Sequence, residues 1–414
     1  MKSVLIYTSP ARGHLFPVLP IARELSRREY RVCIVCLAEE VERVTSLGFQ
    51  ARPLDSRVEA REMDDWLGKN PLQALDRAMR TFADRSAMET DDMRDAIEAV
   101  SPDVLLVDTN SWGAQAVAEA SGIPWATFQP YFTALPAAGV PPFGPGFRRS
   151  LHPLSRLRDA AFGKLLFSRM GAAGLPKLNV VRAQLGLGPM ESIPALLIRP
   201  PLVLYLTSEA FEYPRNSWPS NYRLVGPISW TPSDKPPEWL EELENPIALV
   251  TCSSERQKDD GIIRAALESL PKDGFSVVAT TAAYDPAEFG PTSSSRIRLE
   301  RFVPHHHVID RAKVVVCHGG MGITQRALAK GVPVVVIPYG RDQLEVARRV
   351  EYAGVGVRLM PSSLSGRTLS EAVRGAWALS GNAIGIAESF AKAGGAEMAA
   401  DSIAQLMTAP AMAR

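Results

Sequence analysis

Short apolar runs at 4–7, 31–37, 104–107, 123–128 and 202–207 alternate with longer stretches in which apolar residues recur every three to four positions. The runs are too short for buried helices and predict strands; the stretches, at 17–26, 39–47, 70–100 and 111–121, predict helices with one apolar face. Gly48 and Gly122 stand just past two of those helices, where a left-handed cap favours glycine. Nearly all-apolar strands alternating with helices imply a parallel sheet covered on both faces, an α/β arrangement whose ligands sit at the carboxyl ends of the strands. The pattern loosens at 128–200 into segments rich in Pro, aromatic residues and Arg, with helical pieces expected at 154–170 and 177–185. That region reads as a surface excursion or as one wall of an apolar binding cleft.

The run at 202–207 is expected to close a first sheet, and the Pro- and Trp-containing stretch 213–246 to link it to a second domain. The strand and helix pattern then restarts, with strands at 247–252, 276–280, 297–302, 314–317 and 332–337, and helices at 321–330, 343–353, 370–379 and 395–407. Asp259 is placed to cap the helix that carries Ile262, Ile263, Ala266, Leu267 and Leu270 on one stripe. The expected divisions are 1–212, a linker 213–246, a second domain 247–394, and a last helix 395–414.

A chain of 414 residues is long for one core, which agrees with two domains of about 200 residues. Lys and Arg number 46 against 45 Asp and Glu, so there is no electrostatic footprint for nucleic acid or an anionic membrane surface. The four cysteines, at 33, 36, 252 and 317, lie in apolar runs and read as small core residues in a reducing compartment. Cys33 and Cys36 share one predicted strand, where positions three apart face opposite ways, so they do not read as a metal or redox pair. The apolar part of the start, 4–7, is too short for a signal peptide, which points to the cytoplasm. Residues 122–144 carry no charge over a membrane's length, but prolines at 124, 130, 136, 141 and 142 break a spanning helix.

Candidate chemistry begins at Val314-Val315-Val316-Cys317-His318-Gly319-Gly320-Met321-Gly322-Ile323-Thr324, a buried strand entering a glycine turn and then a helix. Glycines let the backbone approach a ligand, and the helix start leaves N–H groups suited to an anion such as a diphosphate. No Lys stands where a Walker-type loop requires one. Phe302-Val303-Pro304-His305, His318-Gly319-Gly320, Gly331-Val332-Pro333 and Pro338 followed by Asp342-Gln343 resemble, in order and spacing, the nucleotide-sugar signature of family-one glycosyltransferases of the GT-B fold, especially bacterial enzymes that decorate antibiotics.

The resemblance implies two facing Rossmann-like, doubly wound parallel-sheet domains, with the acceptor mainly on the first and the donor on the second. It implies that His318 and the glycines Gly319, Gly320 and Gly322 hold the donor diphosphate, that Asp342 and Gln343 bind sugar hydroxyls, and that Phe302 stacks on the base; Thr324, in or near the first helical turn, offers a hydroxyl to the diphosphate, and Met321 and Val303 complete the donor candidates. Ser253 and Ser254, at another strand end, are further donor candidates. The region after the fifth strand shapes the acceptor pocket in that family, implying Phe128, Phe132 and Phe143 here. Relatives often carry Gln at 305 and an acidic residue at 326 that binds ribose hydroxyls; this chain departs at both, with His305 and Arg326, and the loss of the acidic residue at 326 favours a dTDP-sugar over a UDP-sugar.

In Gly13-His14-Leu15-Phe16-Pro17, glycine permits a tight turn after the first strand and places His14 at its carboxyl end; Asp108 ends another apolar strand on the same rim. A carboxylate on one imidazole nitrogen fixes the tautomer and stabilises the imidazolium formed when the other nitrogen takes a proton. The competing role for Asp108 is a helix cap before Ser111. In the resembling family a His in this setting is the general base and a downstream Asp its partner. His305, His306 and His307 do not read as a metal site, since consecutive residues meet one ion only on irregular backbone and no acidic cluster adjoins them. The expectation is an inverting hexosyltransferase that needs no metal or resident cofactor, moving a sugar from a dTDP- or UDP-sugar to a hydroxyl of a polyketide, macrolide or aromatic aglycone. It carries no membrane span, and a homodimer stays open. The rival readings are a nucleotide-sugar epimerase or hydrolase of the same fold, and a non-catalytic auxiliary binding protein.

Overall fold

Val, Ile and Leu, whose side chains suit a pleated surface buried on both faces, build two separate sheets. The computed structural model describes residues 1–232, 234–253, 257–290 and 294–408. The first sheet contains β1 (Ser3–Tyr7), β2 (Arg31–Cys36), β3 (Gln50–Pro53), β4 (Val104–Asp108), β5 (Trp125–Gln129), β6 (Val203–Tyr205) and β7 (Tyr222–Leu224), in the order β3-β2-β1-β4-β5-β6-β7. The second contains β8 (Ile247–Thr251), β9 (Ser276–Thr280), β10 (Ile297–Glu300), β11 (Ala312–Cys317), β12 (Val334–Val336) and β13 (Gly356–Arg358), in the order β10-β9-β8-β11-β12-β13. The strand pairings among the described residues are parallel throughout. The strand order reverses between β1 and β4 in the first sheet and between β8 and β11 in the second. Loops leaving such neighbours part to opposite faces and open a crevice at the carboxyl ends.

Several elements depart from the periodicity. Strand β7 lies inside the stretch expected to be a plain linker and pairs with β6, so the first sheet ends at 222–224 and not at 202–207. The region expected as two helices is one, Pro153–Gln184, running through Pro176. An interior proline costs about 3 kcal/mol. Here Leu166, Met170, Leu175 and Leu178 of that helix pack with Met79, Ala83 and Trp112, and that burial outweighs the local penalty. Asp259 is not a helix cap: its buried carboxylate accepts from the Ser253 N–H at 2.6 Å and from the Tyr284 hydroxyl at 2.8 Å. Cys33 and Cys36, as their spacing implies, enter different core clusters on the two faces of the sheet. No helix among the described residues is long and apolar enough to cross a membrane.

The two sheets are held together by buried charge. Arg349, on the helix Gln343–Tyr352, bonds Glu212 at 2.8 Å and Glu345 at 2.9 Å, with all three side chains almost fully buried. Glu345 in turn accepts from the N–H groups of Gly144 and Gly146, each at 2.9 Å, so a loop of the first domain is clasped by a helix of the second. Arg341 reaches across to Asp65 with two bonds of 3.0 and 3.2 Å. The helix Gly395–Thr408 returns to the first domain: Ala399, Ala400 and Ile403 join its core, and Asp401 meets Arg28 at 2.6 Å.

Candidate active site

Strands β1 and β4 are neighbours with Tyr7 opposite Val107, so whatever follows β1 stands beside the end of β4. After β1 the chain forms a four-residue helix, Arg12–Leu15, that presents His14. Its Nδ1 lies 2.7 Å from Oδ2 of Asp108, the last residue of β4. The other oxygen of Asp108 accepts the Asn110 N–H at 2.8 Å, and the Asp108 backbone carbonyl accepts Gln115 Nε2 at 3.0 Å. The carboxylate is thereby fixed and fully buried. Gly13 does not have the left-handed backbone expected of a tight turn, and a Cβ there would meet nothing within 4 Å.

Burial alone would lower the His14 pKa, but the charge and hydrogen bond of Asp108, joined by the charge of Asp342, outweigh it and raise the value above that of a free imidazole. Asp342 belongs to the second domain, where burial raises its own pKa against the opposing charges of Arg341 and His14. The two charges are therefore close enough to act on each other although they come from different domains. Tyr131 adds a wall on the first side, its ring centroid 5.9 Å from that of His14 and its hydroxyl bonded to Asn110 at 2.6 Å.

On the second side, β11 ends at Cys317 and the turn His318-Gly319-Gly320 leads to the helix Met321–Ala329. Gly319 has φ of 98°, and a Cβ on it would stand 2.7 Å from Val336 Cγ1, so only glycine fits. Gly320 caps the helix without a side chain, and the first N–H directed back into the helix is that of Thr324, to Gly320 O at 3.1 Å. The amides of 321–323 precede that first bond, and free N–H groups at a helix start suit an anion. Burial, reinforced by Arg341 and opposed by Asp259, lowers the His318 pKa to about 4, so the imidazole is neutral. Its Nδ1 is buried with no hydrogen-bond partner among the described residues.

The remaining donor residues divide. Gln343 is buried, with Oε1 accepting from Tyr339 N and Gly340 N and Nε2 donating to Gln257 at 2.6 Å; Gln257 also bonds the Ser253 hydroxyl at 2.6 Å. A polar chain therefore joins the end of β8 to Asp342-Gln343. Ser254 lies outside the described residues. Phe302 is 74% exposed, a bare ring on the rim, whereas Val303 is buried in the core and offers only its backbone. Thr324 is a correction: its side chain is fully buried, with Oγ1 3.7 Å from Cys317 Sγ, because its place in the first turn faces the sheet and not the ligand side.

Two of the three expected acceptor residues are also corrected. Phe128 is fully buried inside β5, and Phe132 is fully buried beneath the Arg349 guanidinium, 4.0 Å from its ring. A parallel strand is apolar on both faces, so periodicity does not say which ring faces the cleft. Phe143 is half-buried and lines a cavity of about 360 Å³ between the 133–143 loop and the helix Pro153–Gln184. Neither His14 nor a donor candidate lines that cavity.

Residues 277–405 match the family described as erythromycin biosynthesis protein CIII-like, C-terminal domain. The chain is 32% identical over 390 residues to 4'-demethylrebeccamycin synthase of Lentzea aerocolonigenes, covering 90% of each protein. The chain belongs to the family-one glycosyltransferases of antibiotic biosynthesis. This glycosyltransferase has the GT-B fold: it superposes on the glycotransferase of kitacinnamycin with a TM-score of 0.77 at 22% identity, covering 98% of both chains. It superposes on VinC, solved in complex with dTDP, with a TM-score of 0.72 at 19% identity over 98% of this chain and 99% of that one.

Sequence reasoning missed Asn110, Tyr131 and Gln257 in this glycosyltransferase. Tyr131 carried a signal, an aromatic residue just past the carboxyl end of β5, at the rim where ligands bind. Gln257 carried none, since its role depends on β8 and the start of the helix Gln343–Tyr352 meeting in space.

Proposed function

We propose that this enzyme transfers a sugar, with inversion, from a nucleotide-diphosphate sugar to a hydroxyl of an apolar natural-product aglycone. The carrying observation is the 2.7 Å bond between His14 Nδ1 and Asp108, with the charge of Asp342 acting on the same ring. With Nδ1 held by the carboxylate, Nε2 takes the acceptor proton while the acceptor oxygen attacks the anomeric carbon. The leaving diphosphate gathers its charge on the amides of 321–323 and on neutral His318, which donates one hydrogen bond. Asp342 and Gln343 orient the sugar. These donors supply the stabilisation that a metal provides elsewhere, so no metal is part of the proposed reaction.

A dTDP-sugar is the proposed donor. Arg326, in place of an acidic ribose ligand, spends its guanidinium on Trp230 O at 2.8 Å, and a 2′-deoxyribose loses nothing there. VinC, a solved structure of the same fold, was crystallised with dTDP, which supports this reading. Incubation with a panel of nucleotide-sugars and polyketide, macrolide and aromatic aglycones, read by mass spectrometry, should give a product heavier by one glycosyl unit. Release of free sugar alone would replace transfer by hydrolysis. In competition binding dTDP should bind at least as tightly as UDP; a preference for UDP above about tenfold, roughly 1.4 kcal/mol, would overturn the donor assignment.

A further inference from the structure

The three consecutive histidines, set aside as a metal site on sequence grounds, acquire a partner in the folded chain. His305 is occupied, with Nε2 2.9 Å from the Thr280 hydroxyl. His306 and His307 lie in the first turn of the helix His305–Ile309, with ring centroids 3.8 Å apart and the rings tilted by 44°. Asp234, from the segment between β7 and β8, comes to the same place, 72 positions earlier in the chain than His306. Its Oδ1 lies 3.9 Å from His306 Nε2 and 3.9 Å from His307 Nε2, and the three atoms fall within 4.8 Å of one another.

The spacing separates this cluster from an ordinary ion pair. His14 and Asp108 bond directly at 2.7 Å, whereas both nitrogens here stand 3.9 Å from one oxygen. Ligand atoms on a tetrahedral zinc ion, with bonds of about 2.0 to 2.1 Å, are roughly 3.3 Å apart, so a shift of about half an ångström in three side chains admits an ion. The His306 and His307 side chains are 14% and 17% exposed and that of Asp234 is 41% exposed, which leaves both a fixed base and an entry path. His306 also has a buried Nδ1 with no hydrogen-bond partner among the described residues. An ion on Nε2 puts the ring proton on Nδ1 and gives that nitrogen no partner, so the case for the site rests on the three converging ligand atoms. His307 Nε2 is 3.0 Å from Asp234 O, a bond that an ion would replace. Near His306 the charges of Arg326 and Asp310 oppose each other.

We infer that His306, His307 and Asp234 form a binding site for a divalent transition-metal ion of the zinc class, with two imidazoles and one carboxylate as ligands and water completing the shell. Two nitrogen ligands favour zinc, nickel, cobalt or copper over magnesium and calcium. The site shares no residue with the dyad or the glycine turn. An ion here ties the interdomain segment that carries Asp234 to the helix that follows the exposed Phe302, and so braces the joint between the two domains.

The test uses full-length protein without a polyhistidine tag, stripped with chelator, dialysed and titrated with zinc chloride. Elemental analysis should find about one zinc per chain, and calorimetry should give a dissociation constant in the micromolar range or tighter. His307→Ala and Asp234→Ala should each weaken zinc binding by about tenfold or more, with unchanged circular dichroism. His152→Ala, which removes a histidine remote in sequence from the cluster, should bind zinc like the parent. Asp234, with a side chain 41% exposed, gives a variant that folds even if the His307 variant does not. Less than stoichiometric zinc on the parent protein, or binding unchanged in both the His307 and Asp234 variants, would overturn the site.

Discussion

His14 and Asp108 show what one hydrogen bond can decide at the scale of single residues. If His14 is the base, His14→Ala should lower kcat by about 10² to 10⁴ while donor affinity stays nearly unchanged, because the donor turn lies on the other sheet. Asp108→Asn should lose turnover as well, and the double variant should lose far less than the two single losses combined. The raised His14 pKa adds a signature. Activity requires the unprotonated ring, so the acidic limb of the kcat/KM profile should fall as pH drops through the raised value, and Asp108→Asn should move that limb to lower pH. Steady-state kinetics on the four proteins from pH 5 to 9 measure all of this; strictly additive losses or an unmoved limb would leave Asp108 as a structural cap. Both residues were legible in the sequence because each ends or follows an apolar run. Phe128 and Phe132 were misread because an apolar ring gives no sign of which side of a doubly covered sheet it faces.

At the scale of elements, the helix Pro71–Val100 lies under the helix Trp112–Ser121 so closely that a Cβ on Gly113 would come within 1.8 Å of Ser86 O. Glu89 sits in that contact, fully buried, with one oxygen accepting the Gly113 N–H at 2.8 Å and the other unpartnered among the described residues. Burial raises its pKa to about 8, so the folded protein keeps this carboxyl protonated at pH 7 while the unfolded chain ionises it near 4.3. The folded state therefore binds more protons than the unfolded state between those values, and stability falls as pH rises through that window. Glu89→Gln retains the acceptor oxygen and removes the titration. Its melting temperature should match the parent near pH 5 and exceed it at pH 8.5; equal melting temperatures at both pH values would show that Glu89 does not titrate in this window. Nothing in the sequence marked Glu89, which sits among other polar residues on a long helix. Its burial depends on a second helix closing over it.

At the scale of the whole molecule, the Arg349, Glu212 and Glu345 cluster is where the halves are joined, supported by the Tyr205 hydroxyl on Glu212. Removing the arginine strands two carboxylates in the interior, a change that typically costs about 3 to 5 kcal/mol. Arg349→Ala should lower the melting temperature, and the released Gly144 and Gly146 loop should become open to proteolysis. A variant that melts like the parent, with that loop still resistant, would mean that the apolar contacts between the domains suffice.

The sequence by itself determined the alternation of strands and helices, two domains, the glycine turn after β11 and the pair of rim positions 14 and 108. Each follows from spacing along the chain, from backbone freedom at glycine or from the rule that loops at a strand's carboxyl end form the cleft. Only tertiary structure decided that β7 completes the first sheet, that Pro153–Gln184 is one helix across a proline, that Thr324 turns inward, and that Asp234 meets His306 and His307. Those outcomes rest on burial and on contacts between residues far apart in the chain, whose free energies exceed the local preferences that a sequence displays.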